Sequence, residues 1–375
     1  MKIVLSGYYG FDNCGDEAVL LSILHCLRKL SPDVQVTVLS GNPEKTREIY
    51  GVSAVNRWNL ATIVRELVKA DLLISGGGSL IQDVTSVRSP SYYLGIIRIA
   101  LFLRKKVMIY AQGIGPLVDE KNRVSAAKVF NRCGAITVRD KASANLLREI
   151  GVGKELHVTC DPVMALSRNN VSIGIVSELL LELGISGADG KKKKPALFVS
   201  MRRWKDDRHF EQVAIVLDEQ AAAGWDIILV PAHFPDDVEA IYILREKLKC
   251  VPIVVEKCLS AREFLALMLI ADRVFSMRLH GLICAFAVGT PMVGLSYDPK
   301  VDAFMEQAGC GDYCLSYDDE DLANNARLAL NMAAPPQDGG INITDPLPLT
   351  EIAMHRLRMQ KLAWENAKIA INLTQ

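Results

Sequence analysis

Short runs of β-branched and aliphatic residues alternate along the chain with longer stretches whose apolar positions recur at helical spacing. The runs Ile3–Leu5, Val34–Leu39, Leu72–Ile74, Val107–Tyr110, Ala135–Val138 and Leu156–Cys160 predict strands; Glu17–Leu30 and Leu60–Ala70 predict helices between them. A second series follows, with strands at Ala196–Ser200, Ile227–Val230, Ile253–Val255, Val274–Ser276 and Met292–Leu295. Alternation of this kind specifies βαβ units and parallel sheets, so the expected fold class is α/β with two half-chains of the same design. Boundaries are expected at 1–168 and 195–349, joined by 169–194, where Asn169-Asn170, Gly187–Gly190 and a solvated Lys191–Lys194 run interrupt the pattern. The Pro335-Pro336 and Gly339-Gly340 stretch closes the second half, and Ile352–Leu373, within 350–375, reads as one terminal helix expected to rejoin the first domain.

Length and composition sharpen this picture. A chain of 375 residues exceeds one ordinary core, and with half its residues apolar it can fill two. Its 43 basic and 43 acidic residues leave no net field, so nucleic acid is not an expected partner. The nine cysteines show no C-x-x-C pair and no histidine at zinc-ligand offsets, which predicts reduced, mostly buried thiols in a cytoplasmic protein and no metal. Lys2–Leu5 opens the chain without a basic and apolar leader, so no secretory signal is expected. Between Tyr92 and Tyr110 the apolar run is broken by Arg98, Arg104, Lys105 and Lys106, too often for a membrane span. Two readings stand for it: a core helix whose charges face water, or a basic and apolar face touching a membrane surface.

In open α/β sheets, ligands bind beyond the carboxyl ends of strands. Four such places carry chemistry. After the first strand, Gly10-Phe11-Asp12-Asn13-Cys14-Gly15-Asp16-Glu17 fits neither a dinucleotide fingerprint nor a phosphate-binding P-loop. It brings Asp12, Asn13 and Asp16 to a strand end, as proton acceptors for a hydroxyl or as caps of the next helix. Ser75-Gly76-Gly77-Gly78, and the Gln112-Gly113-Ile114-Gly115-Pro116 turn, either let backbone approach a ligand or are tight turns alone. Arg139-Asp140 offers a guanidinium fork for a carboxylate or phosphate, or a surface ion pair. The sharpest place is Ser276-Met277-Arg278-Leu279-His280-Gly281, opening a helix at Leu282–Val288; an arginine, a histidine and a helix N-terminus together suit an anion. Tyr297 and Lys300 fall on the same rim after the next strand.

Taken in order, Gly10–Ala18, Ser75–Gly78, Gln112–Pro116, Val138-Arg139-Asp140, Asp161-Pro162 and Met277–Gly281 resemble the polysaccharide pyruvyl transferase family, and within it the branch acting on bacterial secondary cell-wall polymers. The resemblance implies two facing Rossmann-like domains of GT-B-like fold, with the active site in the cleft between them. It implies phosphoenolpyruvate as co-substrate, no cofactor, and transfer of the pyruvyl group as a 4,6-ketal to N-acetylmannosamine on a lipid-linked acceptor, at the inner face of the membrane. Carried over by position, Arg139, Arg278, Leu279, His280 and Gly281 would bind the donor, and Asn13, Gly77, Gly78, Gln112, Tyr297 and Lys300 the acceptor. His280 and Asp16, with Asp12 as the lesser candidate, would be the acid and base. Two other functions fit the same scaffold: an inverting nucleotide-sugar glycosyltransferase, and a non-catalytic binder of anionic saccharides.

Overall fold

The computed structural model describes residues 1–84, 89–187, 190, 192–333 and 350–375. Lys191 and the Pro335–Gly340 stretch lie outside the described residues. Two compact units result, Met1–Ala165 with Met359–Gln375, and Leu166–Arg358.

In the first unit the chain runs β1 (Lys2–Tyr9), α1 (Cys14–Leu30), β2 (Gln35–Ser40), α2 (Pro43–Tyr50), β3 (Ser53–Asn56) and α3 (Leu60–Lys69). It continues through β4 (Leu72–Ser75), β5 (Gly78–Ile81), α4 (Ser89–Phe102), β6 (Lys106–Ile114), α5 (Glu120–Phe130), β7 (Ala135–Val138), α6 (Lys141–Glu149) and β8 (His157–Val158). The strands pair in parallel in the order β3-β2-β1-β4-β6-β7-β8, with β5 against β6. Each central strand is apolar on both faces because helices cover both, so Ile3, Leu5, Leu73, Ile109 and Ile136 are all buried.

The second unit holds α7 (Ile173–Glu182), β9 (Ala196–Ser200), α8 (His209–Ala222), β10 (Asp226–Leu229), α9 (Val238–Lys247), β11 (Ile253–Val254) and α10 (Ala261–Ile270). Then follow β12 (Arg273–Ser276), α11 (Leu279–Val288), β13 (Met292–Ser296), α12 (Pro299–Gln307), β14 (Cys314–Ser316) and α13 (Leu322–Met332). Its strand order, β11-β10-β9-β12-β13-β14, is that of the open, doubly wound Rossmann sheet, three strands wound one way and three the other. The last helix, α14 (Glu351–Thr374), belongs to the first unit from Met359 onward, where Thr159 Oγ1 lies 2.8 Å from Asn366 Oδ1 and Cys160 Sγ donates to the Met359 carbonyl.

Several expectations are corrected here. Residues 169–194 are no mere connection, because α7 lies within them and buries Val176, Leu179 and Leu180 in the second unit. The apolar stretch after Tyr92 is a core helix and a core strand: Leu94, Ile96 and Ile97 face the interior, while Phe102 at the end of the helix is exposed. Among the described residues no helix is long and apolar enough to cross a membrane. The Leu156–Cys160 strand shrinks to two residues, and β3 and β14, too short to show a period, were not foreseen. All nine cysteines are reduced thiols, six buried and three partly so.

Candidate functional site

Each sheet reverses its winding between two central strands, β1 and β4 in the first unit and β9 and β12 in the second. Such reversals leave the crevice in which open α/β sheets bind ligands. A serine pair closes each: Ser6 stands in register with Ser75, and Ser200 with Ser276. In both pairs the first serine is buried with its hydroxyl unpartnered. The second is bonded, Ser75 Oγ accepting from Gln112 Nε2 at 2.7 Å and Ser276 Oγ lying 3.0 Å from both the N–H and the carbonyl of Arg278.

At the first reversal, the loop after β1 delivers Asp16 to the glycine run. Asn13 is the helix cap of the two readings offered, its carboxamide oxygen accepting from Gly15 and Asp16 N–H at 3.0 and 3.3 Å, so α1 begins at Cys14. Asp12, held at φ +58°, pairs with Lys45 at 2.6 Å. The glycines are dictated by what they touch. A Cβ at Gly78 would lie 3.0 Å from Asp16 Oδ1, and one at Gly77 would lie 2.8 Å from the Pro162 ring. The run therefore joins β4 to β5, not to a helix, and Gly77 has a packing role in place of the expected acceptor contact.

Arg139 is no surface pair. It is buried, donates Nη2 to Ser79 Oγ at 3.0 Å, and has Asp140 and Asp161 carboxylates at 3.4 and 3.6 Å. Its guanidinium lies on Gly113, where a Cβ would be 2.6 Å away, so Asp16 and Arg139 meet neighbouring residues, Gly78 and Ser79. Gln112 lies inside β6, which runs on to Ile114; its side chain is fully buried, with Nε2 on Ser75 Oγ and Oε1 unpartnered. Sequence reasoning missed Tyr9. Its ring folds over Gly7 and Gly76, and its hydroxyl is 0% exposed and unpartnered. Burial pushes that hydroxyl well above its ordinary pKa, and the neighbouring charges of Asp16 and Glu17 add to the effect.

At the second reversal, α11 begins at Leu279, three residues before the expected Leu282, because the Arg278 carbonyl accepts from Gly281 and Leu282 N–H. His280 thus stands half-buried in the first helical turn. Gly281 is required by packing, since a Cβ there would lie 2.6 Å from Ser276 Oγ, and Leu279 is buried, so neither needs a ligand to explain it. The Arg278 fork is taken by Asp237: Nε lies 3.0 Å from both carboxylate oxygens and Nη2 contacts Oδ1. Asp237 is 0% exposed and also accepts from Ala232 and His233 N–H, which fixes the arginine in place. Tyr297 Oη accepts from Arg202 Nη1 at 3.0 Å, with the guanidinium 4.8 Å from its ring centroid. Lys300 pairs with Asp298 at 3.0 Å.

Arg202, His233 and Asp237 were not singled out from sequence, although the strand-end rule applied to β9 and β10 would have found them. Arg202, His233 and Arg278 with His280 follow the contiguous strands β9, β10 and β12 and gather two guanidiniums and two imidazoles at this edge, with Asp237 against Arg278 and Asp236 against His233. Burial lowers the His233 imidazole below its ordinary pKa; Arg278 and Arg202 push the same way, against Asp236 and Asp237. The edge can therefore hold a small polyanion and move one proton. Among the described residues no group of three His, Cys, Asp or Glu side chains could hold a metal ion.

No curated protein matches the chain in sequence. Solved structures share its fold at low identity. The UDP-GlcNAc 2-epimerase of Methanocaldococcus jannaschii matches with TM-score 0.62 at 12% identity, covering 99% of both chains. S. aureus MnaA in its UDP co-structure gives 0.60 at 11%, covering 99% of this chain and 95% of that one. Anabaena Alr3699/HepE in complex with UDP-glucose gives 0.56 at 15%, covering 100% and 97%. These likenesses establish the fold alone, an α/β fold of GT-B type. Residues 13–299 match the family described as Polysaccharide pyruvyl transferase, and the chain belongs to that family.

Proposed function

We propose that the protein transfers the pyruvyl group of phosphoenolpyruvate to two hydroxyls of one sugar, forming a cyclic ketal and releasing phosphate. The acceptor we infer is an N-acetylmannosamine residue of a lipid-linked cell-wall polymer precursor, ketalised at O4 and O6. Cytoplasmic location, at the inner face of the membrane, belongs to the same reading.

The observation that carries it is the gathering of Arg202, Arg278 and His280 at the strand ends of the second unit. Phosphoenolpyruvate bears a carboxylate and a phosphate close together and needs at least two cations; charge-assisted bonds of this kind are each worth about 1.5–3 kcal/mol. Arg202, braced on Tyr297, offers one guanidinium there, and Arg278, whose Nε and Nη2 are held by Asp237, leaves Nη1 outside that pair. Arg139 is assigned to the donor by the family resemblance alone.

In the reaction the methylene carbon gains a proton and becomes methyl. The adjacent carbon forms two C–O bonds to the sugar and loses its bond to the phosphate oxygen. Of the two protons released by the hydroxyls, one balances the new methyl group and one leaves with phosphate. We assign His280 to protonation of the methylene carbon or of the leaving phosphate, and Asp16, braced on the glycine run, to the acceptor hydroxyl.

The test incubates the purified chain with phosphoenolpyruvate and a lipid-like N-acetylmannosaminyl disaccharide. Mass spectrometry should find the pyruvyl increment on the sugar, with one phosphate per product. Nucleotide release from a nucleotide sugar, with no pyruvyl product, would replace this reading by glycosyl transfer. Saccharide binding without turnover of any donor would replace it by the non-catalytic one.

A further inference from the structure

Arg57 follows β3 directly and is 4% exposed, yet no carboxylate pairs with it among the described residues. Nη1 donates to the Gly7 carbonyl at 3.0 Å, and Nε is buried without a partner. What surrounds the cation instead is aromatic. Its guanidinium carbon lies 4.3 Å from the Tyr92 ring centroid, 5.1 Å from those of Phe11 and Trp58, and 5.4 Å from that of Tyr93. Tyr8 stacks on Phe11 at 4.3 Å, and Tyr92 Oη donates to the Arg57 carbonyl. A buried guanidinium is held by ring faces in such a cage, and the rings are held by it.

A staple serving the core alone would leave the rings covered. Here Trp58 is 66% exposed, and Phe11 and Tyr92 are half-buried. The rings form a rigid surface, so a ligand stacking on them loses little side-chain entropy in ordering it.

Beside this surface lies a cavity of about 410 Å³, in the size range of small-ligand sites, between Gly41, on which the Phe11 ring packs, and Asn56 and Asn59, which flank Trp58. Three asparagines line it in the same manner. Asn42, Asn56 and Asn59 each accept a backbone N–H through Oδ1, from Lys45, Trp58 and Thr62. That bond fixes which end of each amide is oxygen, and no described protein group accepts from the three NH₂ ends. Oriented neutral donors next to aromatic faces suit a ligand rich in hydroxyl oxygens. An anion is disfavoured, because Glu44 lines the same cavity and Arg47 spends Nη1 on the Ala54 carbonyl.

We propose that the Phe11, Trp58 and Tyr92 rings and this amide-lined cavity form a saccharide subsite of the first unit. It holds a neutral sugar residue of the acceptor other than the one being ketalised. Phe11 lies in the loop that leads into the first turn of α1, where Asp16 stands, so the subsite rests on the reading of that segment as acceptor-side.

The test is binding of the methyl glycoside of an N-acetylhexosaminyl disaccharide to the full chain without donor, by calorimetry and saturation-transfer NMR. Wild type should bind it, and Trp58→Ala should weaken binding about tenfold, with Trp58→Phe between them. The indole also faces the Arg57 guanidinium, so melting curves are recorded alongside and binding is compared at a temperature where all three proteins are folded. Equal affinity of wild type and Trp58→Ala, or no binding of the glycoside by wild type, would overturn the subsite. So would Trp58-dependent binding of uridine diphosphate in its place. The two readings separate cleanly: Trp58-dependent binding without pyruvyl transfer keeps the subsite and removes the reaction. Pyruvyl transfer with the same acceptor KM in Trp58→Ala does the reverse.

Discussion

His280 and Tyr9 are the two residues whose chemistry is easiest to isolate. His280 sits in the first turn of a helix anchored on a buried strand, so its imidazole can be removed without disturbing the core around it. His280→Ala should lower kcat about 10²–10⁴-fold, the usual worth of positioned acid–base catalysis, with the far-ultraviolet dichroism unchanged. Tyr9 presents the opposite case. A buried hydroxyl with no partner costs about 1–3 kcal/mol, so Tyr9→Phe should raise stability in denaturant titrations. A loss of stability instead would mean that the hydroxyl is bonded in solution. The motif residues around them were legible as chemistry-bearing types at strand ends. Their partners were not: nothing local to Arg278 announces Asp237, which lies 41 positions away.

At the scale of elements, the two loops at the reversals are shaped by close packing. In α11, alanine at position 281 would favour the helix by propensity alone, but its Cβ would meet Ser276 Oγ at 2.6 Å. Gly281→Ala should therefore destabilise the chain by about 1–3 kcal/mol, measured by chemical unfolding, and donor binding should weaken as the turn shifts. In α1, Glu17 accepts from Gly10 N–H and Tyr50 Oη, tying the first loop to α2. Burial nonetheless raises its carboxyl above the ordinary 4.5, outweighing those two donors. A raised carboxyl stabilises the fold in its neutral form, fully below the unfolded value, and that contribution is lost as pH rises through the folded one. Glu17→Gln, always neutral, should gain on wild type between pH 4 and pH 7, and melting curves at both values check the sign. Periodicity located α1 and α11 but not their first residues, because Asn13 and Arg278 cap them through contacts that a hydrophobic pattern does not record.

The whole molecule is built from two sheets of like topology, and the first is completed by the far end of the chain. Asn366, fully buried on α14, meets Thr159 across 207 positions, and Ala363, Ala367 and Ala370 bury the same face. Asn366→Ala should cost about 1–3 kcal/mol by removing a buried acceptor of the Thr159 hydroxyl, which keeps only the Val138 carbonyl at 3.2 Å, and by leaving a gap in the core, an effect read from denaturant unfolding. The order of apolar runs and helical stretches by itself determined the α/β class, the number of units and most of the central strands. A strand buried on both faces is a continuous apolar run wherever it sits, so local composition suffices to find it. It determined also which residue types stand at the strand ends, and with them the family. Only the tertiary structure decided that Gln112 is interior, that Asp12 is paired with Lys45, that Arg139 is buried beside Asp161, and that Arg57 is held by rings. Those outcomes turn on which distant groups face one another across neighbouring strands and loops, and pairing of that kind is set by packing in three dimensions, where sequence spacing carries no record of it.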